Sequence, residues 1–435
     1  MLKTVKILIA GILTSFYYFP VEFVAYPGVN TKMMLAVLGL VFVVFSLIQK
    51  GSLSITKDFL WLVILAGLVS TISLLSITIN QTPDTSYVGY IVSFAVWLSG
   101  AYAVCWIIRQ IHGYISVQLV LDYLVGVCVF QCASALVIDN VPVVKYLVDR
   151  TFSLDQATMT RVRRIYGIGA ALDVAGLRFS AILAGLGFYL SEMKVPLKSG
   201  RRATYILSFL FITVAGNMVA RTTLVGVLIG TLIVLLGFFH KSKSSAKTTQ
   251  ASSVLMWTVF LAAVIILCVS LYNTYPYARK MLRFGFEGFF SLAEKGHWET
   301  ASTETIAKTM VVFPETLHTW IIGDGYFMNS NYDPNYLGEY SNDQGYYMGT
   351  DVGYLRFLFY FGVLGLILIM AVIVYSAIIC MRRFREDWLL FLSVLLVGLI
   401  VWLKVSTDIF CFFAPFLCVS ALLEDNSDPI KNEYA

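Results

Sequence analysis

The chain has 435 residues, of which 58% are hydrophobic and only 13% are charged, and its mean hydropathy is +0.79. About a quarter of the residues of a soluble globular domain are charged, so this composition excludes an ordinary soluble protein. The net charge of +5 acquires meaning only when the charges are assigned to the two sides of a membrane. Repeated apolar runs of about 20 residues predict an all-α polytopic membrane protein.

The apolar runs predict about 12 transmembrane helices in a single integral membrane domain, residues 1–435. The region 203–239 is long enough for one helix of about 55 Å, nearly twice the hydrocarbon thickness, so a hairpin is the better interpretation. The predicted spans lie near residues 5–20, 31–48, 59–79, 87–108, 114–138, 170–191, 203–219, 222–239, 253–272, 352–379, 388–403 and 405–423.

The distribution of Lys and Arg predicts the orientation of the spans. Placing the N-terminus inside puts most of the cations in the inner connections, so both termini are expected to be cytoplasmic. Two enlarged connections, 139–169 and 273–350, then lie on the outer face, and the second precedes the tenth helix. The first carries more cations than its side predicts, either for a functional reason or because strong neighbouring spans overrule it. Its cations are Lys145, Arg150, Arg161, Arg163 and Arg164.

The absence of several motifs argues against several classes of enzyme. There is no Walker A loop, no Rossmann glycine pattern and no nucleophile elbow, so neither ATP hydrolysis nor the use of a cytoplasmic nucleotide sugar is indicated. The seven Cys lie in apolar runs without a CxxC pair, and His297 and His318 lack metal-ligand spacing. We therefore expect no metal, no cofactor and no nucleic-acid partner.

Two arginines stand near the outer ends of predicted spans. Arg178 lies inside an apolar run, where a charge usually faces an interior cavity; the alternative is a side chain that snorkels to the interface. Arg221 occupies the tip of the predicted outer hairpin, beside the start of a helix whose free N–H groups favour an anion. The alternative for Arg221 is a solvated or headgroup-bound side chain.

The end of the second enlarged connection enters the tenth span through residues 350–356. Thr350 or Asp351 is either a plain N-cap or part of a polar site, whereas Arg356 is a further charge one turn into the apolar helix. Asp351 and His318 are candidates for the general base, and a lone loop His such as His318 is more often merely exposed. The many loop aromatics suit carbohydrate stacking or a lid lying on lipid headgroups.

These features resemble the bacterial O-antigen polymerase and ligase superfamily, and its Wzy-type polymerase branch in particular. The resemblance covers the overall topology of about a dozen spans with two enlarged outer loops. The Arg-x10-Gly repeats of some polymerases are absent in clean form. The paired His of the ligases is also missing, and this second absence favours a polymerase over a ligase. The matching runs are NMVARTTL at 217–224, WIIGDGYF at 320–327, TDVGYLRFLFYFG at 350–362, and RVRRIYG at 161–167.

The resemblance implies a GT-C-like, metal-independent glycosyltransferase of the bacterial inner membrane. Such an enzyme polymerises undecaprenyl-diphosphate-linked oligosaccharide repeat units at the periplasmic face, beside a flippase and a chain-length regulator. It implies that Arg178, Arg221 and Arg356, with Arg164 in support, bind the diphosphate, because arginine pairs with phosphate oxygens in two-point fashion. Asp351 or His318 would then orient or deprotonate the acceptor hydroxyl. The alternatives are an O-antigen ligase, a flippase or transporter of lipid-linked oligosaccharide, and a non-enzymatic envelope partner.

Overall fold

The computed structural model describes residues 2–50, 56–153, 164–193, 197–242, 266, 269–270, 272–328 and 346–424. In these ranges the regular elements are helices, with two isolated β-bridges, Glu22 to Asn30 and Met328 to Tyr346. The prediction of an all-α protein is therefore confirmed. Arg161, Arg163 and most of the predicted span 253–272 lie outside the described residues.

The helices follow the apolar runs closely. Eleven of the predicted spans coincide with a helix, and the end points differ by a few residues at most positions. The helices are α1 Leu2–Tyr18, α2 Thr31–Lys50, α3 Lys57–Asn80, α4 Tyr90–His112, α5 Val117–Asn140, α6 Pro142–Thr151, α7 Leu172–Leu190, α8 Ser199–Val219, α9 Thr223–Ser242, α10 Pro276–Gly285, α11 Glu287–Lys295, α12 Ala301–Thr305, α13 Leu317–Ile321, α14 Gly353–Arg383, α15 Trp388–Val401 and α16 Phe410–Glu424.

Seven of the described helices, α2, α3, α4, α5, α7, α8 and α14, are long and apolar enough to cross a membrane. Shorter apolar helices occur at Thr223–Gly237 and Phe410–Leu423. Several crossing helices in one chain make this a polytopic membrane protein. The count of twelve spans and the GT-C architecture stay predictions.

The chain divides into two compact units. Unit 1 comprises Met1–Leu124 and Ala301–Ala435, and unit 2 comprises Val125–Thr300. In unit 1, α2 and α16 pack on α4, and α3 packs on α14. In unit 2, α7 packs on α8 and, most extensively, on α9. The single integral membrane domain therefore stays a prediction.

The predicted hairpin in region 203–239 is confirmed, since α8 ends at Val219 and α9 begins at Thr223. α9 returns in very close contact with α7. A Cβ added to Gly226 or Gly230 would collide with the backbone of Ser180 or Leu183. The Ser180 hydroxyl donates to the Thr222 carbonyl at 2.8 Å and accepts from the Gly226 N–H at 3.1 Å. Small residues and a shared hydroxyl thus hold the two backbones together, as in many membrane helix pairs.

α14 is broken, which its continuous apolar sequence did not predict. Phe361 and Gly362 leave the helical conformation, and Gly362 has a φ of 69° and a ψ of −171°. The break exposes the carbonyls of Phe359 and Tyr360, which accept from the backbone N–H groups of Asp324 at 2.6 Å and Gly325 at 3.2 Å. A segment of the second enlarged connection therefore replaces the missing helical hydrogen bonds, as required for irregular backbone in a membrane span.

Candidate functional site

Arg221 lies in the three-residue turn between α8 and α9, at the position that the hairpin predicted. Its guanidinium forms an ion pair with Glu287, the first residue of α11. The Arg221 side chain is 14% exposed and the Glu287 side chain 36% exposed. The Glu287 carboxylate therefore occupies the position in which Arg221, beside the start of α9, would bind another anion.

Arg164 lies beside Arg221 and shares an aromatic ring with it. Both guanidinium groups stand over the ring of Phe284, at 4.8 Å for Arg221 and 5.5 Å for Arg164. Arg164 approaches Asp173 at 3.7 Å, and the Thr222 hydroxyl donates to Asp173 at 3.1 Å. Arg164, Arg221, Asp173, Glu287 and Phe284 together form what we term the arginine pair site.

The electrostatics of this site favour an anion. Burial and the nearby charge of Arg164 lower the pKa of Arg221 from its usual value, and Asp173 opposes that shift. Among the described residues, the Nε atoms of Arg164 and Arg221 are both buried and have no hydrogen-bond partner. Each guanidinium thus keeps an N–H with no acceptor, and two adjacent cations are balanced by two carboxylates. A diphosphate supplies negative charge and several acceptor oxygens, which match the N–H donors of these guanidinium groups.

The second enlarged connection reaches Arg221 because a glycine permits a close backbone approach. A Cβ on Gly285 would come within 3.2 Å of the Asn217 carbonyl carbon and oxygen at the end of α8. This contact sets Phe284 and Glu287, on either side of Gly285, against the turn that carries Arg221. The Asn217 side chain itself is fully buried, and its Oδ1 has no hydrogen-bond partner among the described residues.

Arg178 lies two turns into α7 and is only 7% exposed. It is close enough to the Cys128 thiol of α5 for electrostatic interaction, so its guanidinium lies among the helices of unit 2. Snorkelling to a headgroup would leave the side chain more exposed, and burial therefore favours the interior interpretation.

Arg356, in unit 1, has a different environment. Its guanidinium is stacked between the rings of Phe327 and Tyr346, each with its centroid at 3.7 Å. Its terminal nitrogens donate to the Ser406 hydroxyl at 2.7 Å and to the Phe327 carbonyl at 3.3 Å. We term Arg356, Phe327, Tyr346 and Ser406 the aromatic cage. The guanidinium has both faces covered, and only its Nε is without a hydrogen-bond partner among the described residues.

The two predicted catalytic residues also belong to unit 1. Asp351 is half-buried and contributes a favourable charge to Arg356. The N-cap of α14 is Val352, without a side-chain cap bond, so the N-cap interpretation of Thr350 and Asp351 is wrong. The Thr350 hydroxyl instead donates to the Met310 carbonyl at 2.6 Å. His318 is exposed, and its Nε2 is 2.8 Å from the Oδ1 of Asn80.

Asp324 is a further carboxylate that the sequence did not single out. It lies between Gly323 and Gly325, both with positive φ, at the break of α14. Its carboxylate accepts from the Thr319 hydroxyl at 2.7 Å and the Tyr347 hydroxyl at 3.2 Å. Burial raises the pKa of Asp324, while these hydrogen bonds and His318 oppose the rise. The paired glycines in the WIIGDGYF run were the available signal for a constrained acid.

The described residues contain no group of three His, Cys, Asp or Glu side chains arranged to hold a metal ion. Comparison of the chain with protein-family models, curated proteins and solved structures finds no match.

Proposed function

We propose that the protein is a glycosyltransferase that polymerises undecaprenyl-diphosphate-linked oligosaccharide repeat units at the outer face of a bacterial inner membrane. The observation that carries this proposal is the arginine pair site. Two neighbouring guanidinium groups, each with a buried N–H lacking an acceptor, suit a ligand with several oxygens and at least two negative charges.

The reaction requires stabilisation of a diphosphate leaving group. The acceptor sugar hydroxyl attacks the anomeric carbon of the donor glycan, and the bond from that carbon to the diphosphate oxygen breaks. The electron pair leaves on the diphosphate, where fixed cations stabilise the developing charge. In this proposal the diphosphate displaces Glu287 from Arg221 and engages Arg164, with Arg178 of the same unit in a supporting position. Diphosphate binding by Arg356 stays a prediction from the sequence.

The hydroxyl proton passes to a nearby base. Asp351 and His318 are the proposed candidates; His318 lies within the second enlarged connection, Asp351 directly follows it, and both belong to unit 1. Asp351 is half-buried, whereas the side chain of His318 is exposed. Both chain termini are proposed to be cytoplasmic, and a flippase and a chain-length regulator are the proposed partners.

The proposal is tested in a deletion strain complemented with single variants. Arg221→Ala and Arg178→Ala are expected to leave surface glycan with a single repeat unit, at unchanged protein level. Arg202→Ala is the matched control, because Arg202 pairs with Glu192 at the opposite ends of the same two helices, α7 and α8. It is expected to preserve the polymer ladder.

The banding pattern also separates the alternatives. Polymer that accumulates without attachment to its final acceptor would indicate a ligase. Complete loss of exported lipid-linked material would indicate a flippase. Normal-length polymer from both the Arg221 and the Arg178 variants would refute the assignment of the diphosphate site.

A further inference from the structure

The segment 311–321 of unit 1 displays a row of large apolar side chains that the fold leaves uncovered. Leu317 is 75% exposed and Phe313 is 58% exposed, and Val311, Trp320 and Ile321 are also exposed. The segment is well ordered by its own contacts. Phe313 stacks on Trp320 with an interplanar angle of 10°, and the Trp320 indole N–H donates to the Pro314 carbonyl at 2.9 Å.

The apolar side chains share one face. In the short helix α13, Leu317, Trp320 and Ile321 are related by spacings of three and four residues and therefore lie on the same side. Thr319 is buried on the opposite side, where its hydroxyl donates to Asp324. The segment is thus amphipathic, with one side directed into the protein and an apolar side directed away from it.

The length of α14 places this segment at the edge of the hydrocarbon core. Arg383 ends α14 beside Asp58, at 3.9 Å, and this charged end must lie outside the hydrocarbon. From Arg383 back to the break at Gly362 there are 21 residues, which span about 32 Å of helix. The hydrocarbon core is about 30 Å thick, so the break lies at the opposite boundary.

A second helix gives the same depth independently. α3 begins beside the same ion pair and runs from Asp58 to Asn80, a rise of about 33 Å. Its last residue contacts the segment directly: Asn80 donates to the Gly323 carbonyl at 2.9 Å and lies 2.8 Å from His318. At the break of α14, a Cβ on Gly362 would collide with the Ile321 carbonyl. Both helices therefore place α13 at the boundary between acyl chains and headgroups.

We infer that the segment 311–321 is an interfacial anchor that inserts the side chains of Phe313, Leu317, Trp320 and Ile321 among the lipid acyl chains. The occupant of this face is the bilayer, because the segment contacts the end of α3 and the break in α14, and these two helices expose apolar side chains of their own at those points, Ile79 and Leu364. A tryptophan with a bonded N–H and an apolar body is the residue typical of this boundary. The anchor holds the outer connection, including Asp324, at a fixed depth.

The test uses the full-length protein in vesicles of phosphatidylethanolamine and phosphatidylglycerol. Leu317→Cys and Ile321→Cys are labelled with a nitroxide, and collisions with oxygen and with a water-soluble nickel chelate are compared. The control is Glu315→Cys, an exposed polar position two residues from Leu317. Labelling of the parent protein is measured first; six of its Cys are buried in the described residues.

The labels at 317 and 321 are expected to collide several times more often with oxygen than with the chelate, and the label at 315 to show the reverse. Aqueous behaviour at both 317 and 321 would overturn the inference and show that this face is exposed to water. A second measurement needs no cysteine. Lipids brominated near the headgroup quench the fluorescence of tryptophans at that depth. Trp320→Phe should therefore remove the most strongly quenched part of the tryptophan emission. Unchanged quenching in this variant would count against the anchor.

Discussion

The two arginine sites differ in what balances the buried charge. In unit 2, Arg221 is balanced by Glu287, a partly exposed carboxylate that belongs to a surface loop. In unit 1, Arg356 directly contacts two aromatic rings, a hydroxyl and a carbonyl, and Asp351 acts on it through its charge. The same residue type is therefore held by an ion pair in one unit and mainly by contacts with uncharged groups in the other.

The difference indicates different uses. A carboxylate can be exchanged for another anion at little cost, because the guanidinium stays paired throughout. Stacked rings cannot be exchanged in this way, because they give up cation–π contacts without an equivalent replacement. We therefore expect the arginine pair site to serve binding and the aromatic cage to serve mainly as a fixed support for the loop ends.

The largest expected effect separates charge from geometry at Arg221. Arg221→Lys retains the charge but loses the planar fork, so glycan polymerisation is expected to fall by about 100-fold or more. The measurement is polymer formation by the purified protein in vesicles supplied with lipid-linked repeat units. Stability should change by less than about 1 kcal/mol, since a partly exposed ion pair contributes little. Near-normal activity of Arg221→Lys would contradict the assignment of ligand binding to the arginine pair site.

The aromatic cage should show the opposite balance of effects. Arg356→Ala removes two ring contacts and two charge-assisted hydrogen bonds, and we expect a loss of about 3 kcal/mol of folding free energy. The measurement is thermal unfolding in detergent beside Arg221→Ala. A larger destabilisation from Arg221→Ala than from Arg356→Ala would reverse the assigned roles.

A substitution at the break in α14 tests whether the loop segment is held rigidly against this helix. Gly362→Ala places a side chain at a positive φ and against the Ile321 carbonyl, so we expect a cost of about 3 kcal/mol. Gly113→Ala is the matched control, because Gly113 has a φ of 79° and no atom within 4 Å of its added Cβ. It should cost about 1 kcal/mol. Equal thermal shifts would show that the loop does not press on the break.

The smallest expected effect is a pH dependence at Asp324. Because its pKa is raised in the folded protein, the folded state binds the proton more readily than the unfolded state. Acidification through the folded pKa should therefore stabilise the wild type relative to Asp324→Asn, whose side chain does not titrate. The difference in melting temperature, followed from pH 7 to pH 4, should move in favour of the wild type. A constant difference would mean that the environment of Asp324 does not disfavour its charge.

The apolar runs predicted the helices well because membrane burial is a property of consecutive residues. The predicted span 59–79 became Lys57–Asn80, and 170–191 became Leu172–Leu190. The break at Gly362 escaped prediction because its neighbours are all apolar, and hydropathy does not report backbone angles. The hydrogen bonds from Asp324 and Gly325 that make the break tolerable come from a segment more than thirty residues earlier in the chain.

The sequence also indicated Arg221 but not its environment. A charge at the tip of an apolar hairpin is evident from the neighbouring residues alone. The second enlarged connection, however, contains many acidic residues, and nothing in the sequence distinguishes the one that pairs with Arg221. Glu287 is selected because Gly285 allows the loop backbone to approach Asn217. Arg356 was likewise evident as a buried charge, but its stacking between Phe327 and Tyr346 was not.

By itself, then, the sequence determined the membrane character, the helices and the buried cations. Apolar runs and the charged residues that interrupt them can be read directly from the order of the residues. The tertiary structure alone decided which partner each cation has, since that depends on backbones that are distant in the chain and close in space. The pairing of Arg164 with Arg221 over Phe284 and the enclosure of Arg356 by two rings both arise in this way.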